Sequence, residues 1–150
     1  MSIGIVSSGT LNADDLITAF SREIRSKLPR CADPDLRAYA RKTLKGLESA
    51  EEDDKPACLD ELFEVMEAFS PPYTYFAASE GDGAEFGYWP DVDSLREDAR
   101  AKEGVALVSA GDPWPAGLKA DGVRFVMEVN DHGNVALRYA SNGKTVWDCV

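Results

Sequence analysis

The segment VRFVMEVNDHGNVALRYASNGKTVWDCV, residues 123–150, decides the fold class. Three runs rich in β-branched and aromatic residues, Val123 to Asn130, Val135 to Ala140 and Lys144 to Val150, are separated by two turn sequences. The first turn is Asp131-His132-Gly133-Asn134. The second, Ser141-Asn142-Gly143, holds the Asn-Gly pair that suits a tight hairpin because both residues tolerate positive φ. Strand-length runs between such turns predict a three-strand antiparallel meander.

Upstream of this segment the pattern changes twice. Val105 to Ser109 reads as a further strand, and residues 111–122, with Pro113, Trp114 and Pro115, as an irregular loop. Asp91 to Lys102 reads as a short helix with Val92, Leu95 and Ala99 inward and Asp93 as its cap. Residues 73–78 and 85–89 read as two strands around the glycine-rich turn Glu80-Gly81-Asp82-Gly83. Before Pro71-Pro72 the apolar period is helical. Leu16, Ile17, Phe20, Ile24 and Leu28 follow the capping residue Asn12. Leu36, Tyr39, Ala40, Leu44 and Leu47 follow Asp33-Pro34. Leu59, Leu62, Met66 and Phe69 follow Pro56. The expected architecture is therefore α+β: one domain over residues 1–150, with about three N-terminal helices (residues 1–70) packed on a C-terminal antiparallel sheet (residues 71–150).

Composition bounds the function. A chain of 150 residues with 44% hydrophobic content can bury a core without disulfides or metal. Its longest apolar run is strand-length, so no membrane partner is expected, and the N-terminus has no basic region of the kind that opens a secretory signal. Three cysteines, Cys31, Cys58 and Cys149, lack C-x-x-C spacing, which points to reduced thiols and a cytoplasmic setting.

The net charge is −11, and direct binding of nucleic acid is excluded because phosphate affinity rests on Lys and Arg. The charge is also uneven. Residues 48–98 contain 16 acids against two bases, Lys55 and Arg96, and carry −14, whereas the other 99 residues carry +3. The third helix should present Asp60, Glu61, Glu64 and Glu67 away from its apolar stripe as a negative face.

Chemistry-bearing motifs are sparse. His132 is the single histidine and lies in a turn, so no triad can be assembled around an evident base. No phosphate-binding glycine loop, nucleophile elbow or H-E-x-x-H helix occurs. No cofactor or metal is expected. Glu80, Asp82 and Glu85 cluster in a flexible turn, but their spacing is not that of a calcium loop. Ser7-Ser8-Gly9-Thr10 precedes the first helix without the lysine of a phosphate cradle. The aromatic residues Tyr73, Tyr75, Phe76, Phe86, Tyr88 and Trp89 crowd two short strands. Alternation places Tyr73 with Tyr75 opposite Phe76, and Phe86 with Tyr88 opposite Trp89. If one such face is open, aromatic rings bordered by carboxylates suit a partner bearing Arg or Lys.

Two stretches, PPYTYFAASEGDGAEFGYWP (71–90) and VNDHGNVAL (129–137), resemble an uncharacterised family of small proteins encoded by tailed bacteriophages and prophages. The residues carrying the resemblance are Tyr73, Tyr75, Phe76, Gly81, Asp82, Gly83, Phe86, Gly87, Trp89 and Asn130 to Asn134. It implies a phage protein working in the cytoplasm of a bacterial host, and it implies no activity.

Together these readings lead to a non-enzymatic acidic accessory protein that binds a basic surface of a host protein. Its sharpest form is an anti-defence inhibitor of anti-CRISPR or DNA-mimic type. The expected contact residues are Glu51, Glu52, Asp53, Asp54, Glu61, Glu64, Glu67, Tyr73, Tyr75, Glu80, Asp82, Glu85, Tyr88 and Trp89. One alternative is a small-ligand or metal-dependent module at Asp131, His132 and Asn134 with the Glu80–Glu85 turn. Another is a structural or assembly protein of the phage particle.

Overall fold

Short polar side chains set where three of the helices begin. In the computed structural model, which describes residues 3–149, Asn12 Oδ1 accepts from the N–H groups of Asp14 (2.9 Å) and Asp15 (3.4 Å) and opens α1 (Ala13–Lys27). Asp33 Oδ1 accepts from Asp35 (2.9 Å) and Leu36 (3.2 Å) and opens α2 (Pro34–Gly46), with Pro34 in the first turn. A 3-10 turn, Glu52–Asp54, leads into α3 (Lys55–Ala68). The fourth helix, α4 (Val92–Ala101), is capped by Asp91, whose Oδ1 accepts from the Ser94 N–H at 3.0 Å. Asp93, the expected cap, instead lies exposed in the first turn, because only Asp91 has the non-helical backbone a cap needs.

The protein is α+β, with four α-helices and two sheets among the described residues. The chain divides into two compact units. Residues 4–70 and 75–89 form one. Residues 71–74 and 90–149, with Ile3, form the other.

In the first unit α1 packs against α3 and α2 against α3. Their sheet has three strands, β1 (Gly4–Ser7), β2 (Thr74–Ala78) and β3 (Phe86–Pro90), in the order β1-β3-β2. The strand β1 falls in a stretch for which the sequence predicted no element. It pairs antiparallel with β3, Gly4 opposite Tyr88 and Ile5 opposite Gly87, and a bulge follows before Ser7. Gly87 is required there: a Cβ on it would lie 2.5 Å from the Gly4 carbonyl oxygen. An aromatic cluster fills the core, with Phe20 edge-to-face against Phe63 (6.3 Å), Phe76 (5.1 Å) and Phe86 (5.7 Å), and Phe76 tilted against Tyr88 (5.1 Å). Edge-to-face geometry aligns ring edges with ring faces and adds to simple area burial.

The second unit is built on a four-stranded sheet, β4 (Val105–Ser109), β5 (Phe125–Val129), β6 (Val135–Tyr139) and β7 (Thr145–Cys149), in that order. The pairs β5–β6 and β6–β7 are antiparallel, whereas β4 runs parallel to β5, so the sheet is mixed rather than antiparallel. The long connection 110–124 makes this geometry accessible, because parallel neighbours need a crossover of a dozen or more residues. Leu95 of α4 packs with Val105, Met127, Val135, Leu137, Val146 and Trp147 on one face. On the opposite face Val108, Val126 and Leu118 form a smaller cluster under the connection. The helix packed on this sheet is α4. The three N-terminal helices share their unit with β1–β3, so the single sheet expected over residues 71–150 is divided between two units and a fourth helix is added to the expected three. The last residue of the predicted final strand, Val150, lies outside the described residues.

Candidate functional site

On α3 the apolar residues Leu62, Val65 and Met66 are buried while Asp60, Glu61, Glu64 and Glu67 are exposed. Seven residues separate Asp60 from Glu67, so four carboxylates occupy about 10.5 Å of helix axis, or one per about 3.5 Å. Just before the helix, Glu51, Glu52, Asp53 and Asp54 are exposed as well. They are held in a defined turn, in which the Glu51 N–H donates to Asp54 Oδ2 at 3.0 Å and the Asp54 N–H to the Glu51 carbonyl at 3.1 Å.

Little positive charge answers this surface. The unit carries 17 acids against 9 bases, a net of −8. Lys55 bridges Asp14 (2.7 Å) and Glu52 (2.5 Å), and these carboxylates, Asp14 before Glu52, hold its ammonium above the ordinary lysine range. No Lys or Arg of α1 or α2 lies within ion-pair distance of the α3 carboxylates among the described residues, although α2 packs on α3 and exposes Arg41, Lys42 and Lys45. Arg37 is occupied elsewhere, donating to the Cys31 carbonyl. The contact that α2 does make is neutral: the Tyr39 hydroxyl donates to Glu64 Oε2 at 2.8 Å, and that carboxylate raises the phenol pKa. Tyr39, expected on the apolar stripe of α2, is 37% exposed. Apolar periodicity could not place it there, because it cannot tell a core aromatic from one leaning across a helix rim.

The aromatic hairpin is mostly core. Tyr88, expected at the contact surface, is 1% exposed, with its hydroxyl 3.6 Å from Met66 Sδ and Lys27 Nζ 4.5 Å from its ring centroid. Burial, then the charges of Glu23 and Glu67, pushes its pKa up. Trp89 is half-buried and donates its indole N–H to the Ala77 carbonyl at 2.9 Å. Tyr75 is exposed.

Tyr73 does not continue β2. Its φ of 54° is left-handed, so the expected shared face with Tyr75 is not formed. The ring lies in the other unit, edge-on to Phe125 at 5.9 Å, and its hydroxyl donates to Asp98 Oδ2 at 2.6 Å. Burial first and that carboxylate second push its pKa up to about 12. Of the turn acids, Glu80 and Asp82 are exposed and Glu85 is half-buried. Asp82 Oδ1 is engaged by the Ala84 N–H at 2.9 Å.

The polar turn between β5 and β6 is organised by Asn130, whose Oδ1 accepts from the N–H groups of His132 (3.0 Å) and Asn134 (2.9 Å). Asp131 and His132 point outward, their side chains 90% and 81% exposed and 3.9 Å apart. Asn134 is half-buried at the edge of a shallow depression of about 390 Å³ that also contains the Glu128–Arg138 ion pair (2.9 Å). This turn and the Glu80–Glu85 turn belong to different units. Among the described residues no group of three or more His, Cys, Asp or Glu is placed to hold a metal ion. No helix among them is long and apolar enough to cross a membrane.

No family model, no curated protein and no solved structure matches this chain.

Proposed function

We propose that this chain is a non-enzymatic, acidic accessory protein of phage origin whose α3 face and preceding turn bind a basic surface on a bacterial host protein. The observation that carries the reading is the row Asp60, Glu61, Glu64 and Glu67, exposed and without an ion pair among the described residues. Each strand of duplex DNA spaces its charges by about 3.4 Å along the axis. A helix bearing one carboxylate per about 3.5 Å offers a comparable linear density on a rigid support. The partner is therefore a protein that ordinarily binds nucleic acid, and the mode is competitive occupation of its basic groove. Complementary charge of this kind speeds encounter and sets specificity, and it is weakened by salt. Tyr39 and Tyr75 supply exposed aromatic surface on the same unit for Arg or Lys of the partner.

The test is capture from bacterial lysate on the immobilised full chain, beside a variant carrying Asp60→Asn, Glu61→Gln, Glu64→Gln and Glu67→Gln. A partner retained by the native chain, released by raised salt or by added duplex DNA and absent from the variant, is the expected result. Capture that is indifferent to salt and to the four substitutions would refute the proposal.

A further inference from the structure

The connection between β4 and β5 passes over the second face of the four-stranded sheet and leaves a groove of about 670 Å³ beside it. That volume falls within the range of small-molecule sites. Its walls are Trp114, Pro115, Leu118, Val123 and Ala140. Pro113 and Pro115 fix the backbone on either side of Trp114. The far edge of its ring stands 4.0 Å from the position of a Cβ on Gly143, so the indole sits over the β6–β7 turn. The ring remains 42% exposed. Trp89 and Trp147 both donate their indole N–H groups to backbone carbonyls, at 2.9 and 2.8 Å, whereas the Trp114 N–H has no acceptor among the described residues.

Two cations line this otherwise apolar groove, Lys119 and Arg124. In a chain of net charge −11, neither has a carboxylate within 4 Å among the described residues. Arg124 lies with its guanidinium carbon 5.8 Å from the Phe125 ring centroid, and Lys119 is exposed. Ser141 is the remaining polar lining side chain, so the walls offer few partners for the hydrogen-bonding edge of a nucleobase.

We infer that this groove binds a small organic anion made of a flat apolar body and a carboxylate, the ring laid on Trp114 and the carboxylate held by Lys119 and Arg124. The site is separate from the acidic face of α3, which lies in the other unit, and it stands or falls independently of the proposed partner.

Three tryptophans give a built-in control. In a proton–nitrogen correlation spectrum of the full chain titrated with 2-naphthoate to about 1 mM, the weak end of useful affinity, the Trp114 indole signal should shift. The Trp89 and Trp147 signals should stay. The neutral analogue 2-naphthalenemethanol should bind more weakly. Lys119→Gln and Arg124→Gln, both at exposed positions, should each weaken naphthoate binding roughly threefold to fivefold, the scale of an exposed ion pair, and leave the alcohol unaffected. A Trp114 signal that does not move overturns the inference. So does an alcohol that binds as well as the carboxylate, or two charge variants that bind naphthoate like the native chain.

Discussion

If the carboxylates of α3 serve a partner, the fold should be better off without them. Three like-charge pairs stand at helical spacing on this face: Asp60 with Glu64, Glu61 with Glu64, and Glu64 with Glu67. Each such pair destabilises a helix by about 0.2–0.5 kcal/mol. Glu67 also sits in the last turn of α3, which has no basic residue, where the negative end of the helix dipole disfavours an anion by about 0.3–1 kcal/mol. The triple variant Asp60→Asn, Glu61→Gln, Glu67→Gln removes all four terms. It keeps Glu64, so the Tyr39 hydroxyl retains its acceptor. Glu67 Oε2 accepts from the Phe76 N–H at 3.3 Å, and the amide that replaces this carboxylate would still offer an oxygen there. Asn and Gln differ little from Asp and Glu in helix propensity.

The expected outcome at low ionic strength is a gain of about 1–2.5 kcal/mol for the unit containing α3. Urea unfolding followed by helical circular dichroism reads it, because three of the four helices belong to that unit. In about 1 M salt, where the screening length is roughly 3 Å, most of the gain should vanish. A variant less stable than the native chain at low salt would refute the reasoning. The carboxylates would then be explained by the fold, and the case for a basic partner would lose its main support.

Three further outcomes follow from packing and ionisation. Phe20→Ala empties the centre of the aromatic cluster, where Phe20 is 1% exposed, and should cost about 3–5 kcal/mol in urea unfolding; a loss below about 1 kcal/mol would mean the cluster is not the core of its unit. Gly87→Ala drives a Cβ into the Gly4 carbonyl and should detach β1, seen as fast hydrogen exchange at Ile5 while helical amides stay protected. Tyr73 keeps its proton to about pH 12, against 10.0 for an unperturbed phenol. Its contribution to stability is therefore complete below pH 10 and lost as pH rises through about 12, where folded and unfolded chains no longer differ in protons bound there. Tyr73→Phe should remove that part of the alkaline decline, read by comparing urea midpoints across the window.

What could be read from the sequence was whatever is decided within a few residues. Asn12 and Asp33 cap because each precedes an apolar helical stripe, and the outward row on α3 follows from the period of Leu59, Leu62, Met66 and Phe69. The four-residue β1 gave no such signal. Its pairing depends on Gly87, far along the chain, which alone allows the Gly4 backbone to approach. The direction of β4 depends on the path of the connection 110–124, and alternation within a strand carries no information about that path. The aromatic hairpin was ambiguous for a different reason. Rings occupy both faces of β2 and β3, so period two could not say that Phe76 and Tyr88 would be core while Tyr75 remained outside. Tyr73 was misplaced by one residue of strand, because nothing local marks a tyrosine for the left-handed backbone that turns it toward Asp98 and Phe125.

The helical part of the acidic segment carries more weight than the loop part. Glu80 and Asp82 sit at an exposed turn, where a carboxylate needs only water and where spacing is not held by backbone hydrogen bonds. The carboxylates of α3 are held by a helix whose opposite face is fully buried, so their separations are as fixed as the helix itself. Bases were within reach of the same fold. The neighbouring α2 exposes Arg41, Lys42 and Lys45, and a single Lys in place of Glu64 would convert two repulsions, with Asp60 and Glu61, into the favourable order of acid before base. The chain instead keeps four carboxylates on one rigid helix, at axial steps of about 1.5, 4.5 and 4.5 Å, and among the described residues Lys55 pairs with Asp14 and Glu52 rather than with any of the four. A solvated surface needs charge of either sign. If α3 competes with nucleic acid for a basic groove, as we propose, charge of one sign on a rigid support is what that competition requires.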